Sequence, residues 1–136
     1  MKNFFSPYPL GQTPGLTLVR FVVGVFLIYH GCEIFNEAII NKNLQWDQFK
    51  NSSGKLLVYS GKTGELIAGI LFVLGLFMRV ACLLIIGVMC YITFFLGKGI
   101  IWYDDQHPFL FVLLAIVFFF TGPGNFSLDK MIFKKS

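Results

Sequence analysis

Gly64-Glu65-Leu66-Ile67-Ala68-Gly69-Ile70-Leu71-Phe72-Val73-Leu74-Gly75-Leu76-Phe77-Met78-Arg79 is an apolar run with one carboxylate in its first half and one guanidinium where it stops. A second apolar run starts almost at once after Arg79. A water-soluble domain of 136 residues could not cover both, so the solvent they imply is lipid. A carboxylate at bilayer depth costs roughly 2.5 to 3.5 kcal/mol on insertion scales. Glu65 therefore needs a partner or a polar cavity.

Composition agrees. The chain is 56% hydrophobic and 18% aromatic, with mean hydropathy +0.72. Only 13% of it is charged, about half of the roughly 25% usual in soluble domains. The net charge of +4 does not point to nucleic acid. Its basic residues lie mainly between the apolar runs, where anionic lipid headgroups attract them. Cys32, Cys82 and Cys90 fall in apolar segments with no two-residue spacing, which leaves neither a redox dithiol nor a zinc motif. They read as small buried hydrophobes.

Four spans follow, at about 15–35, 57–77, 80–97 and 107–121, and the fold class expected is an all-α transmembrane four-helix bundle over residues 1–136. Before them, Pro7, Pro9, Pro14 and Gly11 break up an aromatic segment containing Phe4, Phe5 and Tyr8. It reads as an interfacial arm, not a cleaved targeting peptide. At about 100° per residue, Arg20, Gly24, Leu27 and Gly31 share one stripe of the first span. Gly61, Glu65, Gly69, Phe72 and Leu76 share one stripe of the second. Small residues on such stripes let helices approach closely. Residues 36–56 turn polar, with Ala38, Ile39, Ile40, Leu44, Trp46 and Phe49 interspersed, as expected of a loop lying partly on the membrane surface. Met78-Arg79 reads as the tight turn between spans two and three. Trp102 and Tyr103 read as interface anchors. Gly122-Pro123-Gly124 ends the fourth span, and Ser127 is placed to cap a short surface helix through Lys130, Lys134 and Lys135.

An even number of spans puts both termini on one side. Lys2, Arg79, Lys130, Lys134 and Lys135 lie there, against Lys42, Lys50, Lys55, Lys62 and Lys98 on the other. The basic count is a tie, which Arg20 tips toward cytoplasmic termini. Along the helices, His30 lies roughly 8 Å and Glu65 roughly 12 Å below the far surface. Glu33 and Glu37 lie above them, and His107, Asp104 and Asp105 rim the same end. The ionisable residues thus converge on the non-cytoplasmic half, with Arg20 able to extend toward Glu65.

Two readings remain open. Glu65 either pairs with Arg20 or His30 only to fix helix register, or joins His30 and Glu33 in a pocket that relays protons or holds a small polar headgroup. No metal motif is visible: His30 and Glu33 have the spacing of bundle di-iron ligands, without matching carboxylates on the other helices.

The chain also resembles a known family. Arg20, Gly24 and His30-Gly31, then Gly64-Glu65, Gly69, Gly75 and Arg79-Val80-Ala81, are similar to the DoxX family. So is the ending His107-Pro108 through Thr121-Gly122-Pro123-Gly124-Asn125-Phe126-Ser127-Leu128-Asp129. The resemblance covers nearly the whole chain, and its most specific part is the final Gly-Pro-Gly with Ser-Leu-Asp. It implies a four-helix protein of the bacterial inner membrane, named for a subunit of thiosulfate:quinone oxidoreductase and with relatives in redox complexes. On that basis the expected role is a membrane subunit of a quinone- or sulfur-linked redox complex. Glu65 and His30 would act as the catalytic proton-handling pair, and Arg20, Glu33 and His107 would bind substrate. Quinone is the implied cofactor and a soluble or membrane redox subunit the implied partner. Whether the chain is itself an enzyme and how it oligomerises stay open. So does the alternative of a membrane scaffold or chaperone with a structural ion pair. One departure stands out: the family often places a lysine shortly after the His-Gly pair, where this chain has Glu33-Ile34-Phe35.

Overall fold

In the computed structural model, the two glycine-bearing stripes meet. The structure describes residues 6–7, 12–45, 50, 54–97, 99–103 and 105–133. Helix α1 spans Gln12–Gly31 and continues as a 3-10 turn, Cys32–Phe35. Then come α2 (Glu37–Leu44), α3 (Gly54–Leu74) and α4 (Met78–Tyr91), the last prolonged by a π-helical turn, Ile92–Leu96. Helices α5 (Gln106–Thr121) and α6 (Leu128–Phe133) complete the chain, and the described residues contain no strand.

Helix α1 packs along α3, α3 on α4, and α4 on α5. The α1–α3 seam is the tightest. A Cβ on Gly24 would come within 3.0 Å of the Gly69 carbonyl oxygen, and one on Gly69 within 2.7 Å of the Ile28 backbone nitrogen. Only residues without a side chain allow backbones this close, and in lipid such packing is what holds helices together. Val23 and Leu27 of α1, Ala68 and Phe72 of α3, Ala81, Cys82 and Ile85 of α4, and Ala115 and Phe118 of α5 form one core. Phe72 and Phe118 meet edge to face at 5.7 Å, a geometry worth about 0.5–1.5 kcal/mol beyond burial.

Outside this core the helices are apolar: Leu18, Phe21, Phe26, Ile67, Leu83 and Phe120 are exposed. Gln12–Phe35, Gly54–Leu74 and Met78–Phe95 are long and apolar enough to cross a bilayer. Helix α5 has 16 residues, about 24 Å of rise against a hydrocarbon core of about 30 Å. The architecture is that of an all-α membrane bundle, three long helices and a shorter fourth.

Several boundaries differ from the sequence reading. Helix α1 already starts at Gln12, with Pro14 in its first turn, where a missing N–H is harmless. The α3–α4 turn is Gly75–Phe77, three residues earlier than expected, and Met78 and Arg79 belong to α4. Gly75 adopts φ +66° there, a conformation that favours glycine. Part of the polar stretch is helical: Asn36 caps α2 by accepting from the backbone N–H groups of Ala38 and Ile39, and Ile40 is buried against Val58 of α3. The N-terminal aromatics Phe4, Phe5 and Tyr8, and Lys2, Trp46, Phe49, Lys98, Asp104, Lys134 and Lys135, lie outside the described residues.

A buried ion cluster on the wall of a membrane cavity

Arg20 reaches the end of the bundle away from Glu65, which corrects the expectation that one reaches the other. Arg20 is 3% exposed and donates through Nη1 to the Pro123 carbonyl and through Nη2 to the Phe126 carbonyl, both at 2.7 Å. Its guanidinium lies against Gly75, ten residues or about 15 Å along α3 from Glu65. The same end is stitched by Asp129, whose carboxylate accepts from the backbone N–H groups of Phe77 (2.7 Å) and Met78 (2.9 Å) at the start of α4. An anion there complements the helix dipole. The Asp129 N–H donates to the Gly75 carbonyl at 2.9 Å, and the Ser127 hydroxyl accepts from the Lys130 N–H at the start of α6. Arg20 thus ties the C-terminal loop to the bundle.

At the other end, Gly31 lies so close to α3 that a Cβ there would meet the Leu66 backbone nitrogen at 2.6 Å. This contact sets His30 and Glu33 beside Glu65. Beyond Gly31 the 3-10 turn winds at three residues per turn, and His30 Nδ1 lies 3.4 Å from Glu33 Oε1. The Lys62 ammonium sits between two carboxylates, 2.7 Å from Glu33 Oε2 and 3.3 Å from Glu65 Oε2. Glu65 is 3% exposed. The His107 ring, at the start of α5, meets the His30 ring edge-on at 5.8 Å and Phe111 at 5.3 Å. Glu65, Lys62, Glu33 and His30 therefore form a linked polar chain, and the exposed His107 adjoins its outer end through ring contact with His30.

Sequence reasoning missed Lys62, which it counted among the cations flanking the far side. The available signal was its place three residues before Glu65, on the same face of one helix.

The cluster lines a cavity of about 580 Å³, within the roughly 300–1,000 Å³ of ligand sites. The remaining wall is largely apolar, with Leu57, Val58, Val88, Met89, Ile92 and Phe111. Such a site can hold an amphipathic molecule by its apolar part and exchange protons or hydrogen bonds at its polar end. Among the described residues, His, Cys, Asp and Glu form no group of three or more placed to hold a metal ion.

Residues 15–98 match the DoxX family model. This chain belongs to the DoxX family. The matched region runs from α1 to the end of the π-helical turn and contains Arg20, His30, Glu33, Lys62 and Glu65. A Haemophilus influenzae protein, itself described as uncharacterized, is 32% identical over 127 residues, 88% of this DoxX-family chain and 92% of its own. No solved structure matches.

Proposed function

We propose that this DoxX-family protein is the membrane subunit of a quinone- or sulfur-linked redox assembly. In this reading it sits in the bacterial cytoplasmic membrane with both termini in the cytoplasm and the cavity toward the non-cytoplasmic face. One observation carries the proposal: a buried carboxylate, Glu65, is joined through Lys62 and Glu33 to His30 on the wall of an otherwise apolar cavity. Helix register alone would need one ion pair. A four-residue polar chain whose outer histidine lies beside the exposed His107 is better matched to moving protons.

The residues present fit a quinone headgroup. Lys62 and His30 offer N–H donors to a carbonyl, Glu65 offers an acceptor to a hydroxyl, and Phe111 and His107 offer ring faces. A bound quinone would supply two-electron, two-proton chemistry; a soluble or membrane redox partner is the proposed source of electrons. Glu65 would hold the proton nearest the ligand, and Glu33 and His30 would carry it toward the rim at His107. Arg20, hydrogen-bonded at the opposite end, is not part of this proposed site.

Replacing Glu65 with Gln in native membranes tests the assignment. Quinone-linked oxidation should fall while the amount of inserted protein stays the same. A second reading has its own support, because Lys62 links the end of α1 to α3 and could serve only as a clamp in a scaffold. Activity that falls only in proportion to protein level would favour the clamp.

A further inference from the structure

The cavity wall extends beyond the polar cluster. Gly61 of α3 and Gly87 of α4 both line it, and a Cβ built on either meets no atom within 4 Å. Gly87 is exposed and falls near the middle of the Met78–Phe95 span. An exposed glycine halfway along a membrane-crossing helix leaves the cavity wall without a side chain at the depth of the acyl chains. Leu57, also on the wall, is 40% exposed.

The charge of the polar end restricts what it accepts. Glu33 and Glu65 share one ammonium, Lys62. Arg20 is committed to backbone carbonyls at the other end. A small anion would therefore face two carboxylates across a low-dielectric wall with no free guanidinium to hold it. An uncharged headgroup meets no such penalty. Of Lys62's three N–H donors, two are directed to carboxylates, which leaves one for a ligand oxygen.

We propose that the cavity is loaded sideways from the bilayer, past the side-chain-free positions Gly61 and Gly87, and takes an uncharged amphipath with an oxygen-bearing ring head and an apolar tail. Small water-soluble anions, thiosulfate among them, are excluded. This rests on the reading of the cavity as the ligand site of a redox protein, and it selects the quinone side of that reading over the sulfur side. Sulfur chemistry, if coupled, then belongs to a partner.

The test is equilibrium binding to the full chain in phosphatidylcholine nanodiscs, with three probes: a decyl-tailed benzoquinone, the same ring without its tail, and thiosulfate. The tailed quinone should bind, the tailless ring more weakly, and thiosulfate not at all. Because added atoms at position 87 enter open space, Gly87→Ala should bind nearly as the parent. Gly87→Leu and Gly87→Phe should weaken binding progressively, by about tenfold or more for the largest, with unchanged thermal unfolding. Gly61→Leu gives an independent block from α3. Unchanged affinity in folded Gly87→Phe and Gly61→Leu would overturn the lateral route. Thiosulfate that binds and competes with quinone would overturn the ligand class while leaving a redox role standing. Binding of none of the three would remove the redox reading of the cavity along with the inference.

Discussion

Lys62→Met is the most informative single change. It deletes the ammonium that lies 2.7 Å from Glu33 and 3.3 Å from Glu65, while Met keeps much of the apolar stem. Removing one partner of a fully buried ion pair costs about 3–5 kcal/mol, because the remaining charge is stranded. Here the Lys62 and Glu33 side chains are 15% and 23% exposed, and that of Glu65 is 4% exposed. Screening at the Glu33 end reduces the expected cost to about 2–3 kcal/mol. Most of it should come from Glu65, so Lys62→Met combined with Glu65→Gln should recover at least about 1 kcal/mol relative to Lys62→Met alone. The assay is unfolding by sodium dodecyl sulfate in mixed micelles, run as a double-mutant cycle. A Lys62→Met protein within about 0.5 kcal/mol of the parent, or strictly additive effects, would refute the argument that these charges form one coupled unit.

Arg20→Met removes two hydrogen bonds from a charged donor, worth about 1.5–3 kcal/mol each; proteolysis after Gly122 should accelerate while quinone affinity stays unchanged, and loss of affinity with an intact loop would return Arg20 to the site. Gly69→Val forces a side chain against the Ile28 backbone nitrogen, 2.7 Å from the first added atom, and should destabilise the α1–α3 pair by about 1–3 kcal/mol or more on unfolding titration, whereas Gly87→Ala should be neutral. Cys32 is exposed near the cavity end, while Cys82 is buried. A membrane-impermeant maleimide should therefore label Cys32 in intact spheroplasts, and labelling only in inverted vesicles would reverse the proposed orientation.

Residues that face one another through periodicity were the legible part of this fold. Arg20, Gly24, Leu27 and Gly31 share a stripe in the sequence, and all four are buried. The stripe through Glu65, Gly69 and Phe72 is buried likewise. Ser127 was recognisable as a cap because capping is local chemistry, readable over three residues. Interactions distant in sequence were not readable. The α3–α4 turn is held by Asp129, some fifty residues onward, so an apolar run alone could not say where α3 ends. Arg20 donates through both terminal nitrogens to backbone carbonyls of the C-terminal loop. Every residue carries a carbonyl, so no side-chain pattern announces that partner. The candidate site was half legible: depth brought His30, Glu33 and Glu65 to one end, but Lys62 was assigned to solvent because lysines so often lie there.

Gentle extraction of the protein from its native membrane, followed by quantification of quinone per polypeptide, bears most directly on the claim that this end of the bundle holds a membrane-dissolved ligand beside Glu65. The account predicts quinone retained in near-stoichiometric amount by the parent chain and strongly depleted in folded Glu65→Gln and Gly87→Phe variants. Parent protein free of quinone, or equal retention by all three, would contradict it.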